Sequence, residues 1–322
     1  ASRMARALLA FASCIKLQRK VPGGGRALCS SARMMSDSLG DKFKVALLQV
    51  AVGADKEANK RTAKNAINEA AKSGAALVML PECFNCPYDN KCFPEYAEEV
   101  PEAGTTFADA DASSSSGMLQ EAATENKVFV VGGSIPERSE GRIYNTSISV
   151  SPGGTVLAKH RKVHLFDIDV PGGIRFQESE VLSAGNSPTT FQAGSLTVGV
   201  GICYDIRFPE LAMISSTEGA LLMCVPGAFN MTTGPAHWEL LMRSRALDNQ
   251  IYVAACSPAR DEGASYVAWG HSMVCNPWGQ VIAQAGAGEE ILYADIDLEQ
   301  VRKVRQSIPL KQQKRGDMYV LN

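Results

Sequence analysis

The 322-residue chain is 45% hydrophobic and 20% charged, a composition that supports a large buried core in one α/β-sized domain or two small ones. Its 32 basic and 34 acidic residues nearly cancel, and no apolar run approaches the roughly 20 residues that a membrane helix needs. Composition therefore excludes a membrane span and gives no indication of a nucleic-acid partner.

Positive charge is concentrated at the start of the chain. Residues 1–36 contain seven basic side chains and no acid, whereas the remainder has 25 basic and 34 acidic residues. An acid-free segment with Arg and Ser, and with a helical pattern with a basic side over residues 4–16, is typical of an organellar transit peptide. We predict a transit peptide at residues 1–40, mitochondrial rather than plastid, and one folded domain at 43–322. A disordered basic tail on a cytoplasmic protein is the alternative.

Apolar runs and helical periodicity alternate along the first half of this domain. Strands are predicted at 44–51, 75–80, 127–133, 144–150 and 155–159, and helices at 55–73 and 117–126. The order strand, helix, strand predicts a parallel pair joined by a right-handed crossover. The segment Ser151-Pro-Gly-Gly154 is typical of a hairpin turn.

The same alternation resumes after a long predicted connection, residues 168–195. Strands are predicted at 197–202, 221–225, 251–255, 271–275, 280–284 and 291–296, and helices at 209–218, 237–249 and 298–305. The two halves are similar in that each mixes strands with helices, but no sequence repeat relates them and no linker separates them. We therefore predict a single α/β domain in which two sheets lie between layers of helices.

Four titratable side chains lie beyond predicted strands or in a connection between them. Glu82, Lys162 and Cys203 each follow a strand, and Glu178 lies in the connection before the strand that leads to Cys203. Because ligand crevices in α/β sheets lie beyond the carboxyl ends of strands, these side chains can meet. A thiol at such a place is expected to be open to solvent and, beside the positive end of the next helix, to favour the thiolate.

A thiol, a carboxylate and an ammonium together form a nucleophilic set. The carboxylate can move the thiol proton, while the lysine lowers the thiol pKa and, with the N–H of Tyr204, stabilises an oxyanion. The pattern predicts acyl transfer to water from an amide or nitrile. Three alternatives remain open: a merely buried Cys203, surface roles for Glu82 and Lys162, and a Cys–His dyad with His164 as the base.

The nine cysteines form an odd number in a long chain, which favours free thiols over a disulfide framework. Cys83-Phe-Asn-Cys86 has the spacing of a metal-binding pair, and Cys92 lies nearby. No second pair stands at zinc-ribbon spacing and no H-x₃₋₅-H follows Cys86 at zinc-finger spacing, so we predict no metal site.

Three motifs resemble those of the nitrilase superfamily of carbon–nitrogen hydrolases: Leu80-Pro-Glu82, His160-Arg-Lys162-Val-His164 and Gly201-Ile-Cys203-Tyr-Asp-Ile-Arg-Phe-Pro-Glu210. The resemblance extends from about Phe43 to the C-terminus. It implies a four-layer α-β-β-α sandwich, a homodimer and catalysis without metal or organic cofactor. It also implies that Glu82 is the general base and acid, Lys162 the oxyanion stabiliser, Cys203 the thioester-forming nucleophile and Glu178 the group that positions Lys162 and the substrate.

Further segments resemble the omega-amidase branch of that superfamily. Cys203-Tyr-Asp205 differs from the Cys-Trp-Glu of true nitrilases, and similarity to omega-amidases extends over 164–171, 226–240, 257–261 and 264–272. The implied substrates are α-ketoglutaramate and α-ketosuccinamate, whose carboxylate is expected to pair with Arg207 or Tyr88. Arg207 as a structural ion-pair residue is the alternative. A deaminated-glutathione or N-carbamoyl amidohydrolase, or a binding protein with vestigial chemistry, remain alternatives for the whole chain.

Overall fold

The computed structural model describes residues 39–172 and 174–318, so the predicted transit peptide, apart from its last two residues, lies outside the described residues. The strands are β1 Lys42–Gln49, β2 Leu77–Met79, β3 Phe129–Val131, β4 Ile135–Ser139, β5 Arg142–Val150, β6 Val156–Arg161, β7 Asp167–Asp169, β8 Arg175–Gln177, β9 Thr189–Ala193, β10 Leu196–Val200, β11 Leu222–Pro226, β12 Tyr252–Cys256, β13 Met273–Cys275, β14 Val281–Gln284 and β15 Glu290–Asp297. The helices are α1 Lys56–Lys72, α2 Phe93–Tyr96, α3 Ser115–Asn126, α4 Pro209–Thr217, α5 Gly234–Asn249, α6 Leu298–Ser307 and α7 Leu310–Gln313. None of the helices described is long and apolar enough to cross a membrane.

Two large sheets contain most of the described strands. The first has the order β15-β1-β2-β3-β5-β4, with β6 also paired to β5, and the second has the order β14-β13-β12-β11-β10-β9. The predicted parallel pair is confirmed, since β1 and β2 pair in parallel, and β13 pairs antiparallel with β14. In the second sheet β10 pairs in parallel with β11, and β11 pairs in parallel with β12. Each sheet therefore has parallel strands whose carboxyl ends lie along one edge.

Strand alternation determines which face of each sheet meets the other sheet. Val45 and Leu47 of β1 belong to a core shared with residues of β10, β11 and β12, which places them between the two sheets. Ala46 and Leu48 point the other way and pack with residues of α1 and α3. The opposite face of the second sheet packs against α4 and α5. The predicted α-β-β-α layering is therefore confirmed.

The long connection predicted at 168–195 is wrong in part, because it contains strands. β7 and β8 form a two-stranded ribbon of three residues each, and β9 lies at the edge of the second sheet. The side chains of β7 are exposed or half-buried, so they carry no apolar alternation that sequence reading can detect. β4 was missed for another reason, because Pro136, Glu137 and Arg138 interrupt its apolar pattern although its first three residues are buried.

Candidate active site

Lys162 lies at the centre of a buried cluster of charged side chains. It follows β6 directly, its N–H donates to the Asn145 carbonyl at 2.8 Å, and its side chain is fully buried. Its Nζ donates to Glu82 Oε1 and to Glu178 Oε1, each at 2.9 Å. Burial alone would lower the pKa of Lys162, but the charges of the two glutamates raise it well above its ordinary value. The lysine is therefore a permanent cation in a dry site.

Glu82 leaves β2 and points toward the same lysine. Its Oε1 accepts hydrogen bonds from Lys162 and from Asn145 Nδ2, both at 2.9 Å. Its Oε2 is buried and has no nitrogen or oxygen partner among the described residues, and the carboxyl faces the Cys203 thiol. Burial raises the pKa of Glu82 above its ordinary value, and the charge of Glu178 adds to the shift while Lys162 opposes it. One oxygen is thus fixed in place while the other is available to a proton.

Glu178, in contrast, has every oxygen occupied. Oε1 accepts from Lys162 and from the Tyr88 hydroxyl at 2.6 Å, and Oε2 accepts from the backbone N–H of Phe166 at 2.7 Å. Three neighbouring groups thus hold its carboxylate still, which suits a residue that positions Lys162 rather than one that transfers protons. The Tyr88 hydroxyl, expected from sequence to face the substrate carboxylate, donates to Glu178 instead.

Cys203 follows β10 and begins a short 3-10 turn that ends at Arg207. The expectation of an open, thiolate-favouring thiol is wrong, because Cys203 is only 3% exposed. Burial and the charge of Glu82 raise the pKa of the thiol well above its ordinary value, although Lys162 and the Ala228 N–H lower it. The resting nucleophile is therefore a neutral thiol that needs a base.

The backbone at Cys203 is strained. Its φ of +48° lies in the left-handed region, which L-residues with a side chain rarely adopt. Gly227 packs against this turn, and a Cβ there would lie 3.3 Å from the Cys203 Cα. A nucleophile held on a strained strand-to-turn junction is a recurring device for presenting one atom to a substrate.

Aromatic side chains surround the charged cluster. The ring of Tyr88 stacks on Phe176 and contacts Tyr266, whose hydroxyl donates to the Ala228 carbonyl at 2.6 Å. Burial raises the pKa of Tyr266 well above its ordinary value, and the charges of Cys203 and Glu82 add to the shift. Tyr266 and Asn145 are site residues that sequence reasoning missed. An asparagine in the strand-like run 144–150 was the available signal for Asn145.

Arg207 and Tyr204 lie on the same turn as Cys203. The Arg207 guanidinium stacks 4.7 Å from the Phe229 ring centre and 5.3 Å from that of Tyr204. Nη1 lies 3.2 Å from His237 Nδ1, and Nε is buried without a hydrogen-bond partner among the described residues. No carboxylate of the described residues forms an ion pair with Arg207. The alternative of a structural ion-pair arginine is therefore wrong. Nor does any described acceptor bond to the Tyr204 N–H.

The histidine alternative fails on geometry. His164 Nδ1 lies 2.8 Å from Asp205 Oδ1, and its ring stacks on Phe208 with centroids 3.7 Å apart. Among the described residues, the charged groups that act on the Cys203 thiol are Glu82 and Lys162, with no histidine among the main causes of its pKa shift. Over the same residues, no set of three or more His, Cys, Asp or Glu side chains is arranged to hold a metal ion.

Comparison with known proteins places this geometry in a family. The carbon-nitrogen hydrolase family model matches residues 44–306. Omega-amidase NIT2 of Xenopus tropicalis is 55% identical over 278 residues, covering 86% of this chain and 97% of that protein. The human protein of the same name is 54% identical over 279 residues, covering 87% and 97%.

Solved structures agree with this assignment. Saccharomyces cerevisiae Nit3, a member of branch 10 of the nitrilase superfamily, is 45% identical with a TM-score of 0.77, and the match covers 86% of this chain and 99% of that one. The Caenorhabditis elegans NitFhit protein is 32% identical with a TM-score of 0.75, covering 87% and 66%. The chain belongs to the carbon–nitrogen hydrolase family of the nitrilase superfamily.

Proposed function

We propose that this chain is an omega-amidase, which hydrolyses α-ketoglutaramate to 2-oxoglutarate and α-ketosuccinamate to oxaloacetate, each with release of ammonia. The observation that carries the proposal is the buried Glu82–Lys162–Glu178 cluster beside the Cys203 thiol, in which Glu82 Oε2 has no nitrogen or oxygen partner among the described residues and the Glu82 carboxyl faces the thiol. Relatives about 55% identical over most of the chain bear the name omega-amidase.

Acylation uses the resting protonation states of the site. Glu82 Oε2 accepts the Cys203 proton as sulfur attacks the amide carbon, and Lys162 Nζ and the Tyr204 N–H stabilise the resulting oxyanion. Glu82 then gives its proton to the amide nitrogen, the carbon–nitrogen bond breaks, and ammonia leaves a thioester on Cys203. The raised pKa of Glu82 suits this step, because the same carboxyl must both take and return a proton.

Deacylation repeats these steps with water as the nucleophile. Glu82 removes a proton from water, the hydroxide attacks the thioester carbon, and the same donors stabilise the second oxyanion. Collapse breaks the carbon–sulfur bond, the keto acid leaves, and the proton on Glu82 returns to Cys203. Glu178 holds Lys162 in place throughout, because its own oxygens are all engaged.

The substrate carboxylate is assigned to Arg207. Its half-buried guanidinium lies on the same turn as the nucleophile and has no carboxylate partner among the described residues, so an anionic substrate would supply one. Replacing Arg207 with alanine should lower kcat/KM for α-ketoglutaramate by about 10²-fold, since a hydrogen-bonded charge pair is worth about 2–3 kcal/mol. A short monoamide without a carboxylate is the control substrate, and its kcat/KM should change little.

Ammonia release from α-ketoglutaramate tests the activity itself. Cys203→Ala should abolish turnover, and Lys162→Ala should lower kcat by about 10² or more, through loss of oxyanion stabilisation. Retained hydrolysis by Cys203→Ala would refute the proposed chemistry. A higher kcat/KM for deaminated glutathione or an N-carbamoyl amide than for either keto-acid amide would instead reassign the substrate.

We also propose that the enzyme is a homodimer that associates through an apolar patch at the end of α5. Leu247 and Trp278 are 51% and 50% exposed, and with Ile308 and Leu310 they line a surface cavity of about 340 Å³. Large exposed apolar residues grouped in this way are typical of an interface. Leu247→Arg should yield monomers in size-exclusion chromatography with light scattering. Phe107→Arg, at an exposed residue outside the patch, should leave the dimer intact.

The proposed compartment is the mitochondrion, on the strength of the basic, acid-free residues 1–36. Expression of the chain with a C-terminal fluorescent tag would test this directly. Mitochondrial fluorescence that is lost when residues 1–36 are removed is the expected result. Diffuse fluorescence of both the full chain and the chain without residues 1–36 would favour the cytoplasm. Plastid fluorescence of the full chain in plant cells would favour the plastid.

A further inference from the structure

The turn that carries Cys203 is closed by reciprocal hydrogen bonds between Ile202 and Asp205. The Ile202 N–H donates to Asp205 Oδ2 at 2.9 Å, and the Asp205 N–H donates to the Ile202 carbonyl at 3.0 Å. The two bonds enclose Cys203 and Tyr204. A φ of +48° is unfavourable for a residue with a side chain and persists only where surrounding contacts enforce it. These bonds are such contacts.

The same carboxylate also holds the segment that carries Lys162. Asp205 Oδ2 lies 3.1 Å from His160 Nε2, and Oδ1 accepts the His164 N–H at 2.9 Å and lies 2.8 Å from His164 Nδ1. His160 and His164 are placed two residues before and two residues after Lys162. One fully buried side chain, itself two residues past the nucleophile, is thus bonded to both sides of the lysine and to the residue before the nucleophile.

The chemistry of these contacts fixes the proton positions. Burial would raise the pKa of Asp205, but the bonds from His160 and His164 keep it well below its ordinary value, so the carboxylate is ionised. A carboxylate only accepts, and the imidazole nitrogens that face it must therefore donate. The other ring nitrogen of His160, Nδ1, lies 2.9 Å from the Thr189 hydroxyl. Each Asp205 oxygen is engaged, with two neighbours apiece.

We propose that Asp205 is a positioning residue for the reaction, which fixes the distance and orientation of Cys203 relative to Lys162 by bonding the two chain segments to each other. The proposal rests on the amide hydrolysis proposed above and adds a function for a side chain outside the reacting groups. A displacement of about 1 Å between nucleophile and oxyanion donor can cost about 10²-fold in rate. Loss of this one carboxylate should therefore reduce kcat by far more than its effect on folding explains.

Asp205→Asn is the direct test, because asparagine keeps the shape but turns an amide NH₂ toward groups that themselves donate. The expected result is a kcat for α-ketoglutaramate lower by about 10- to 100-fold. Alkylation of Cys203 by iodoacetamide should also change in rate, which reports on the nucleophile without turnover.

Glu137→Gln is the matched control for the loss of a buried carboxylate. Glu137 is also buried, and it bonds Arg161, Lys159 and Thr146, residues of β6 and β5 whose side chains have no hydrogen bond or ion pair to the Cys203 turn among the described residues. Its substitution should lower Tm at least as much as Asp205→Asn while kcat stays within about threefold of wild type. Equal losses of kcat in the two variants would overturn the proposal and leave Asp205 as a stability residue.

His164 provides a second test if Asp205→Asn fails to fold. His164→Asn keeps an amide N–H where Nδ1–H stood, whereas His164→Ala does not. We expect kcat within about threefold of wild type for the first and about tenfold lower for the second. Equal kcat in both variants, or an Asp205→Asn enzyme with wild-type kcat, would refute the positioning role. An active Cys203→Ala enzyme would refute the hydrolytic mechanism instead, so the two failures are distinguishable.

Discussion

Glu82→Gln separates the catalytic effect of this carboxylate from its effect on stability. The buried cluster holds one cation, Lys162, and two carboxylates, Glu82 and Glu178, in side chains that solvent does not reach. With Glu82 ionised the cluster carries a net charge of −1, and glutamine in its place leaves a balanced pair. The variant should therefore fold with a Tm equal to or above that of wild type, whereas Lys162→Ala leaves two adjacent carboxylates without a cation and should lower Tm strongly.

Turnover should respond in the opposite way. Glutamine retains the carbonyl oxygen that bonds Lys162 and Asn145, but it can neither take the thiol proton nor return it to the leaving amine. General acid–base catalysis of this kind contributes about 10²- to 10⁴-fold, which corresponds to about 2.7–5.4 kcal/mol of barrier. Both acylation and deacylation use Glu82, so the loss should be found in single-turnover experiments as well as in kcat.

The pH dependence of stability follows from the raised pKa of Glu82, which lies above its ordinary value of 4.5. Between the unfolded and folded pKa values the native protein binds more protons than the unfolded chain, so its stability falls as pH rises through that window. Glutamine does not titrate. The Tm difference, variant minus wild type, should therefore be larger at pH 8 than at pH 4.

Three measurements decide the matter: ammonia release, Tm by calorimetry at the two pH values, and the mass of any acyl-enzyme. A Glu82→Gln enzyme with more than about a tenth of wild-type kcat would refute the assignment of the base. A fall in Tm comparable to that of Lys162→Ala would refute the charge balance instead.

Three further predictions concern groups around this cluster. The alkylation rate of Cys203 should rise with a midpoint above pH 9.0, the ordinary thiol pKa, because burial and Glu82 raise the pKa of this thiol. A pH profile of the alkylation rate with its midpoint below 9.0 would contradict this. Tyr88→Phe deletes the 2.6 Å bond to Glu178 and should lower kcat about tenfold, the effect of one hydrogen bond to a charged group, and an unchanged kcat would show that the bond is dispensable. Gly227→Ala places a methyl 3.3 Å from the Cys203 Cα, so kcat should fall strongly while Tm changes little. Gly288→Ala is the control, because a Cβ at Gly288 meets nothing within 4 Å, and it should leave both kcat and Tm unchanged.

Much of the fold could be predicted because its strands are buried on both faces. Continuous apolar runs such as those of β1, β11 and β12 are readable without any tertiary information, and they mark where the sheets lie. Short strands such as β7 and β8 have no such pattern, because each is three residues long and none of their side chains is fully buried.

The site divides in the same way. Glu82, Lys162 and Cys203 could be chosen from the sequence because each directly follows a recognisable strand. The burial of Cys203 could not, since it depends on residues distant in sequence, among them Ala228, whose N–H bonds the thiol. Asn145 bonds Glu82 across 63 residues of sequence, and Tyr88 bonds Glu178 across 90, separations that local patterns do not encode.

The pairing of β1 with β15 has a consequence for synthesis of the chain on the ribosome. β1 lies between β2 and β15, and Gln49 pairs with Glu290 at the far end of the sequence. At about 5–20 residues per second, the ribosome needs roughly 12–50 s to reach β15 after completing β1. Throughout that interval the nascent chain presents an unpaired apolar edge, so chaperone capture of ribosome-bound intermediates is expected until residues 290–297 emerge.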